Sequence, residues 1–491
     1  MLNKNEVAVP NDRRGPPDRP DTLDKISTSR LGRGLKVLQI LNDGFGVGRV
    51  KRQARDLLDR AGIGDLAEGA LSRELGENLA RSMGEMKGIV MKVGQMLSYL
   101  DNQLPPEARA ALSQLQTRMA PVDTPRMKEV FLAEFGLPVE QAFASFDDVP
   151  VAAASLGQVY RATLHDGREV AVKIQYPEIV TAVRNDLRNV SLMSQVAAVL
   201  NTSVTEIVAE LSDTLGAELD YVQEADNVRK FAAIYAGDPV VVVPRLVDKW
   251  CGRTVLTTEF ERGLSFQNML DTFDVDRRFV VSRAVGRFFY VAFYFYGMFN
   301  ADPHPGNYIF RDDGKVVFLD YGCVRHFERG FLDRQVHFTE VLRTGNRRNF
   351  SQTLTQMGIV PAENSHRVDW DLLHSFFSKV YQPIIVDASF TYSDTYNREV
   401  ADLAYSLKKS MLTTLRMPRE FLFLNRITFG LNAIHARLGL TLNYYRPAST
   451  MFQFYHRELE GKPVVDPTEK HINYEALDIR YESATTQTPS P

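Results

Sequence analysis

The hexapeptide Asp302-Pro303-His304-Pro305-Gly306-Asn307 constrains this chain more than any other segment. Pro303 and Pro305 bring no amide hydrogen to a helix or a central strand, and Gly306 adds a turn, so the segment is a loop of fixed shape. It follows the apolar run Phe288–Phe299, which reads as a buried core helix. It precedes a second apolar run, Val316-Val317-Phe318-Leu319, that reads as a short strand. Directly after that strand comes Asp320-Tyr321-Gly322, with Asp320 thirteen positions past Asn307. Two carboxylates and a carboxamide are thus carried on turns between buried segments. Asn307 and Asp320 offer the oxygen ligands that Mg²⁺ takes together with phosphate oxygens. A metal pair of Asp302 with His304 lacks a third ligand at suitable spacing.

A cation is found far upstream. In Glu169-Val170-Ala171-Val172-Lys173-Ile174-Gln175, strand alternation puts Val170, Val172 and Ile174 on one face and Ala171, Lys173 and Gln175 on the other. The first face suits a core, and the second faces a cleft with one ammonium group among small residues. A lysine there would bridge the α- and β-phosphates of ATP; the plainer alternative is an edge lysine that discourages aggregation. Its orienting carboxylate is expected to be Glu224, in a helix over Glu218–Arg229, although most helical acids are solvated. Asp302 would orient or deprotonate an attacking hydroxyl. Lysine, D-x-x-x-x-N and D-[FY]-G in this order resemble a protein-kinase ATP site.

Two further stretches bear on that site. Ala152-Ala153-Ala154-Ser155-Leu156-Gly157 lies about twenty positions ahead of Lys173, where a phosphate-covering loop belongs, but with alanines where glycines are usual. Lys92 and Gln95 share a helix face within an apolar run, so Lys92 must either snorkel or find a counter-charge. Glu218 and Asp220 are the candidate partners.

Composition sets the frame. At 491 residues the chain is long enough for two or three domains, and 44% apolar with 24% charged residues is ordinary for a soluble protein. A net charge of −3 gives no general attraction to nucleic acid, and two distant cysteines exclude a disulfide scaffold. The expected organisation is a disordered arm over 1–30, a helical extension over 31–145, a small sheet-rich lobe with a helical insert over 146–262, a helical lobe over 263–457 and a polar tail over 458–491. Strands are expected at Val159–Leu164 and Glu169–Ile174, joined by Asp166-Gly167, and again at Val240–Pro244 and Val255–Phe260. No stretch reaches the length of a membrane span. Residues 1–60 carry a net charge of +5, either a solvated arm or a peripheral contact with anionic lipid. The expected location is cytoplasmic, either free or in peripheral contact with a membrane.

Taken together, the motifs resemble the AarF/UbiB/ADCK atypical kinases. The matching pieces are K-x-G-Q at Lys92, Gly94 and Gln95; the alanine-rich loop; V-A-V-K ending at Lys173; E-x-D at Glu218 and Asp220; D-P-H-P-G-N; and D-Y-G. The resemblance runs from about residue 35 to 455. It implies an α+β, protein-kinase-like bilobal fold with an N-terminal helical K-x-G-Q extension over the active site, Lys92 meeting the E-x-D acids. It also implies ATP- and Mg²⁺-dependent phosphoryl chemistry linked to ubiquinone or other isoprenoid-lipid metabolism, with a small lipid or quinone-precursor ligand. Protein phosphorylation is expected to be suppressed: Ala301 stands where peptide kinases carry the H-R-D arginine, and no A-P-E segment follows Asp320. The alternatives are a nucleotide-binding scaffold without turnover and a true protein kinase. Two departures stand out: Asn300 where the family often has His, and Tyr321 for the usual Phe.

Overall fold

The computed structural model describes residues 122–459 except 155, 178, 181–214, 412, 413 and 417. The expected arm and tail, most of the expected extension, and Lys92, Gln95 and Ser155 fall outside the described residues.

Chain order begins with two helices, α1 (Thr124–Phe135) and the single turn α2 (Val139–Ala142). Six strands then interleave with one helix: β1 (Ser145–Phe146), β2 (Ala152–Ala154), β3 (Gly157–Thr163), β4 (Glu169–Gln175), α3 (Tyr221–Ile234), β5 (Val241–Val242) and β6 (Val255–Glu259). Strands β1, β2, β3, β4 and β6 make an antiparallel sheet in which β3 and β4 pair over their full length. The Asp166-Gly167 turn closes this hairpin, Gly167 taking a φ of 88° that L side chains avoid. Alternation holds along β4: Val170, Val172 and Ile174 are fully buried. They pack into an aromatic core under α1, with Phe131, Phe143 and Trp250 at its centre. Helix α1, placed in the extension by the sequence reading, therefore shares its core with the sheet.

The second lobe is mainly helical: α4 (Phe266–Thr272), α5 (Val275–Tyr296), α6 (Arg329–Thr344), α7 (Arg347–Gln356), α8 (Trp370–Ile385), α9 (Asp394–Met411), α10 (Arg419–Leu438) and α11 (Tyr445–Leu459). Between α5 and α6 run four short strands, β7 (Met298–Asn300), β8 (Tyr308–Phe310), β9 (Val316–Phe318) and β10 (Val324–His326); β11 (Phe390–Thr391) and β12 (Thr441–Leu442) pair farther on. Asp274 caps α5 by accepting from the Arg277 amide at 2.9 Å. The apolar run Phe288–Phe299 is not one helix. Gly297, at φ 61°, ends α5 one residue before β7 begins, and a Cβ there would fall 2.6 Å from the Phe327 carbonyl oxygen. No helix among the described residues is long and apolar enough to cross a membrane. Cys251 and Cys323 are both free thiols.

Candidate active site

The loop Asp302–Asn307 connects β7 to β8. His304 accepts from the Gly306 amide at 3.1 Å and a 3₁₀ turn spans Pro305–Asn307, so the prolines and glycine do shape a rigid loop. β8 and β9 then form a hairpin pairing Tyr308 with Phe318, and the Leu319 amide donates to the Asn307 carbonyl at 2.9 Å. This hairpin is the reason for the thirteen-residue spacing: the chain leaves at Asn307 and returns beside it at Asp320. Asn307 Nδ2 faces Asp302, 3.5 Å from both its backbone oxygen and its Oδ2, which is a long contact. Asp320 Oδ1 accepts from the Gly322 amide at 2.9 Å.

Lys173 meets Glu224 across 51 residues of sequence, its ammonium donating to both carboxylate oxygens at 2.8 Å. β4 supplies the lysine from its cleft face, and α3 supplies the acid. Asp220 caps α3 by accepting from the Gln223 amide at 2.9 Å, which starts the helix so that Tyr221, Glu224, Ala225 and Val228 share the buried face. Glu224 is 1% exposed and Lys173 21%. Burial pushes the lysine pKa down, but Glu224, the Tyr221 phenol and Asp320 outweigh it and hold the ammonium charged well above its usual range. Burial pushes the Glu224 carboxyl up, against the pull of Lys173. A Cβ on Gly322 would lie 3.3 Å from Asp320 Oδ1 and 3.7 Å from Glu224 Oε2, so the Asp-Tyr-Gly turn sits directly against the ion pair.

Several contacts were not foreseen from the sequence. Tyr221 lays its ring under the ammonium, 4.8 Å from Lys173 Nζ to the centroid. Asn227, one turn after Glu224, donates to the Tyr321 carbonyl at 2.9 Å, while Glu224 takes the Tyr321 amide. Asn300 donates to the Asp320 carbonyl at 2.6 Å and accepts from the Asp302 amide at 3.1 Å, joining the two halves of the site.

The remaining expected residues are placed as follows. Ala152–Ala154 do not form a loop: they are strand β2, with Ala154 paired opposite Gly157. Gly157 needs its missing side chain, since a Cβ would fall 2.3 Å from the Ile174 carbonyl oxygen. Glu218 is buried, with its Cα 3.7 Å from a Cβ built on Gly322. Asp220 is exposed and serves as the α3 cap. Lys92 and Gln95, their expected partners, lie outside the described residues.

The donor set fits a hard cation. Asn307 directs its nitrogen to Asp302, which leaves its amide oxygen for a metal, and Asp320 commits one carboxylate oxygen to Gly322, which leaves the other.

A family model described as "ABC1 atypical kinase-like domain" matches residues 114–354. An uncharacterised chloroplastic aarF domain-containing protein kinase of Arabidopsis thaliana is 28% identical over 76% of this chain and 52% of its own length. A probable protein kinase UbiB of Xylella fastidiosa is 31% identical over 58% of this chain and 53% of its own. The mitochondrial atypical kinase COQ8B of Danio rerio is 26% identical over 66% and 53%. The chain thus spans about half the length of these curated relatives. Among solved structures, the complex of Rv3197 with erythromycin from Mycobacterium tuberculosis aligns with a TM-score of 0.57 at 28% identity, over 78% of this chain and 96% of that one. Residues 114–354 thus match the ABC1 atypical kinase-like domain, and the relatives that this chain resembles are named aarF domain-containing protein kinase, UbiB and COQ8B.

Proposed function

We propose that this protein is an ATP- and Mg²⁺-dependent atypical kinase or ATPase that supports ubiquinone or other isoprenoid-lipid metabolism. The observation that carries this reading is the bidentate Lys173–Glu224 pair set against the Asp-Tyr-Gly turn. Lys173, charged and oriented by Glu224, holds the α- and β-phosphates. Asn307 and Asp320 hold Mg²⁺, which would neutralise charge building on the phosphate oxygens. Asp302, 5% exposed, takes the proton of the attacking hydroxyl or positions water. The segment Ala152–Gly157 covers the nucleotide. Glu218 with Asp220 restrains the site through Lys92.

The pathway rests on the family resemblance, supported by the relatives named UbiB and COQ8B. The test is phosphate release from ATP by purified protein, with Mg²⁺ titrated. Asp320→Asn should abolish turnover at every Mg²⁺ concentration while nucleotide still binds. Turnover at the wild-type rate in this variant would remove the metal assignment. Nucleotide binding without phosphate release by the wild type would leave a scaffold.

A further inference from the structure

The buried face of α3 turns two side chains toward Lys173. Tyr221 and Glu224 lie about one helical turn apart, so both reach the same point on β4. Glu224 meets the ammonium with its carboxylate, 2.8 Å from Nζ to each oxygen. Tyr221 meets it with its ring, 4.8 Å from Nζ to the centroid.

The ring is a fixed platform. It is fully buried and packs with Ala225 of its own helix and with Leu256, the β6 residue that pairs with Lys173. At its far end the hydroxyl lies 3.1 Å from where a Cβ on Gly157 would stand, and Gly157 is on β3, the strand at the other side of β4. The chain leading into α3 is tied to the same strand: Gln175, on the strand face of Lys173, donates to the Leu219 carbonyl at 2.8 Å. The Tyr221 hydroxyl has no hydrogen-bond partner among the described residues, so packing holds the side chain and its oxygen does not.

The two contacts act differently on the lysine. A primary ammonium has three N–H donors, and the carboxylate of Glu224 occupies two of them. A polar side chain at the position of Tyr221 would compete for the third. An aromatic ring attracts the charge through its quadrupole and presents no lone pair on its face, so it confines the ammonium while leaving that donor for an incoming oxygen. Confinement before binding matters for lysine, whose long stem would otherwise lose its freedom when the ligand arrives.

We infer that Tyr221 is a positioning residue for phosphate binding, given the assignment of Lys173 to the nucleotide phosphates: its ring confines the ammonium beside Glu224 and keeps one N–H open to a phosphate oxygen. The test is equilibrium dialysis of the full-length protein against radiolabelled ATP with Mg²⁺ and, separately, against radiolabelled adenosine. Adenosine has the base and sugar without phosphate, so it separates the grip on phosphate from the shape of the cleft. Tyr221→Leu keeps an apolar side chain but no aromatic face, and should weaken ATP binding about tenfold while adenosine affinity changes less than about twofold. Tyr221→Phe restores the ring and should recover the ATP affinity. A Tyr221→Leu protein that holds ATP as tightly as wild type, or that loses ATP and adenosine in equal measure, would overturn the inference. A Tyr221→Phe protein that loses ATP affinity about tenfold would overturn it too, because the hydroxyl would then do the holding; this variant decides the matter should Tyr221→Leu fail to fold. Wild-type protein that binds no ATP would remove the assignment of Lys173 itself, and the role of Tyr221 with it.

Discussion

Tyr321 offers a sharp test because the site's logic separates its backbone from its side chain. The backbone is held twice by α3, its amide at Glu224 and its carbonyl at Asn227. The ring is fully buried, 5.1 Å from Phe231 and 6.1 Å from Phe288, and burial drives its phenol far above the usual tyrosine range. Its hydroxyl finds no hydrogen-bond partner among the described residues. A buried hydroxyl without a partner costs about 1–3 kcal/mol. Tyr321→Phe removes that cost and leaves a void of about 20 Å³, worth about 0.5 kcal/mol at ~24 cal/mol per Å³. The net is a gain of about 0.5–2.5 kcal/mol, or roughly 1–5 °C in thermal midpoint for a domain of this size. Thermal melting followed by fluorescence, checked by a urea midpoint that rises at constant slope, measures it. ATP turnover should stay near wild type, since neither backbone contact changes. A midpoint that falls by a comparable amount would refute the reasoning and show that the hydroxyl is bonded in the folded protein.

Other substitutions probe the joints of the site. Glu224→Gln removes the counter-charge that Lys173 grips at 2.8 Å, and should lower ATP turnover about 100-fold through misplacement of the ammonium, read as kcat against KM for ATP. Asn300→Asp keeps the acceptor for the Asp302 amide but sets a carboxylate against the Asp320 carbonyl, and should cost about 10-fold or more in kcat; a variant as fast as wild type would mean that Asn300 does not order the site. Burial lowers the pKa of His435 from 6.5 to about 4, so the unfolded chain takes up a proton before the folded one does. Stability from this group is therefore complete above about pH 6.5 and falls as pH drops toward 4, by up to about 3 kcal/mol, a slope that His435→Gln should flatten in acid denaturation curves.

Much of the fold was legible because its signals are local. Period-two alternation placed Lys173 on the cleft face of β4, and Asp166-Gly167 marked the hairpin beside it. The apolar run Val316–Leu319 marked the strand that brings Asp320 back beside Asn307. Other features depend on distant surroundings. Alanine has little intrinsic preference for strands, so Ala152–Ala154 read as a loop, and they are extended because β3 offers them an edge. The aromatic run into Phe299 gave no sign of the break at Gly297, whose need for a bare Cα is set by the Phe327 carbonyl thirty residues on. Asn227 and Asn300 reach partners 94 and 20 residues away, and such contacts impose no periodicity on the sequence.

Those two asparagines also explain how the chain tolerates its departures from the family pattern. The position of Asn300 must supply one donor, to the Asp320 carbonyl, and one acceptor, to the Asp302 amide. A neutral imidazole has one of each, as a carboxamide does, so His and Asn answer the same requirement there. They part company in acid: protonated imidazole has two donors and no acceptor, and its hold on the Asp302 amide would be lost. Asn300 keeps both bonds at any pH that the fold survives. Tyr321 tolerates replacement of Phe for a related reason. What the site needs from that residue is a backbone amide and carbonyl fixed by Glu224 and Asn227, and any flat ring filling the space between Phe231 and Phe288 supplies them equally well. The ordering of Lys173, Asp302 and Asp320 thus rests on neutral amide bridges and one ion pair, which is why residues outside the recognised motifs carry so much of the geometry.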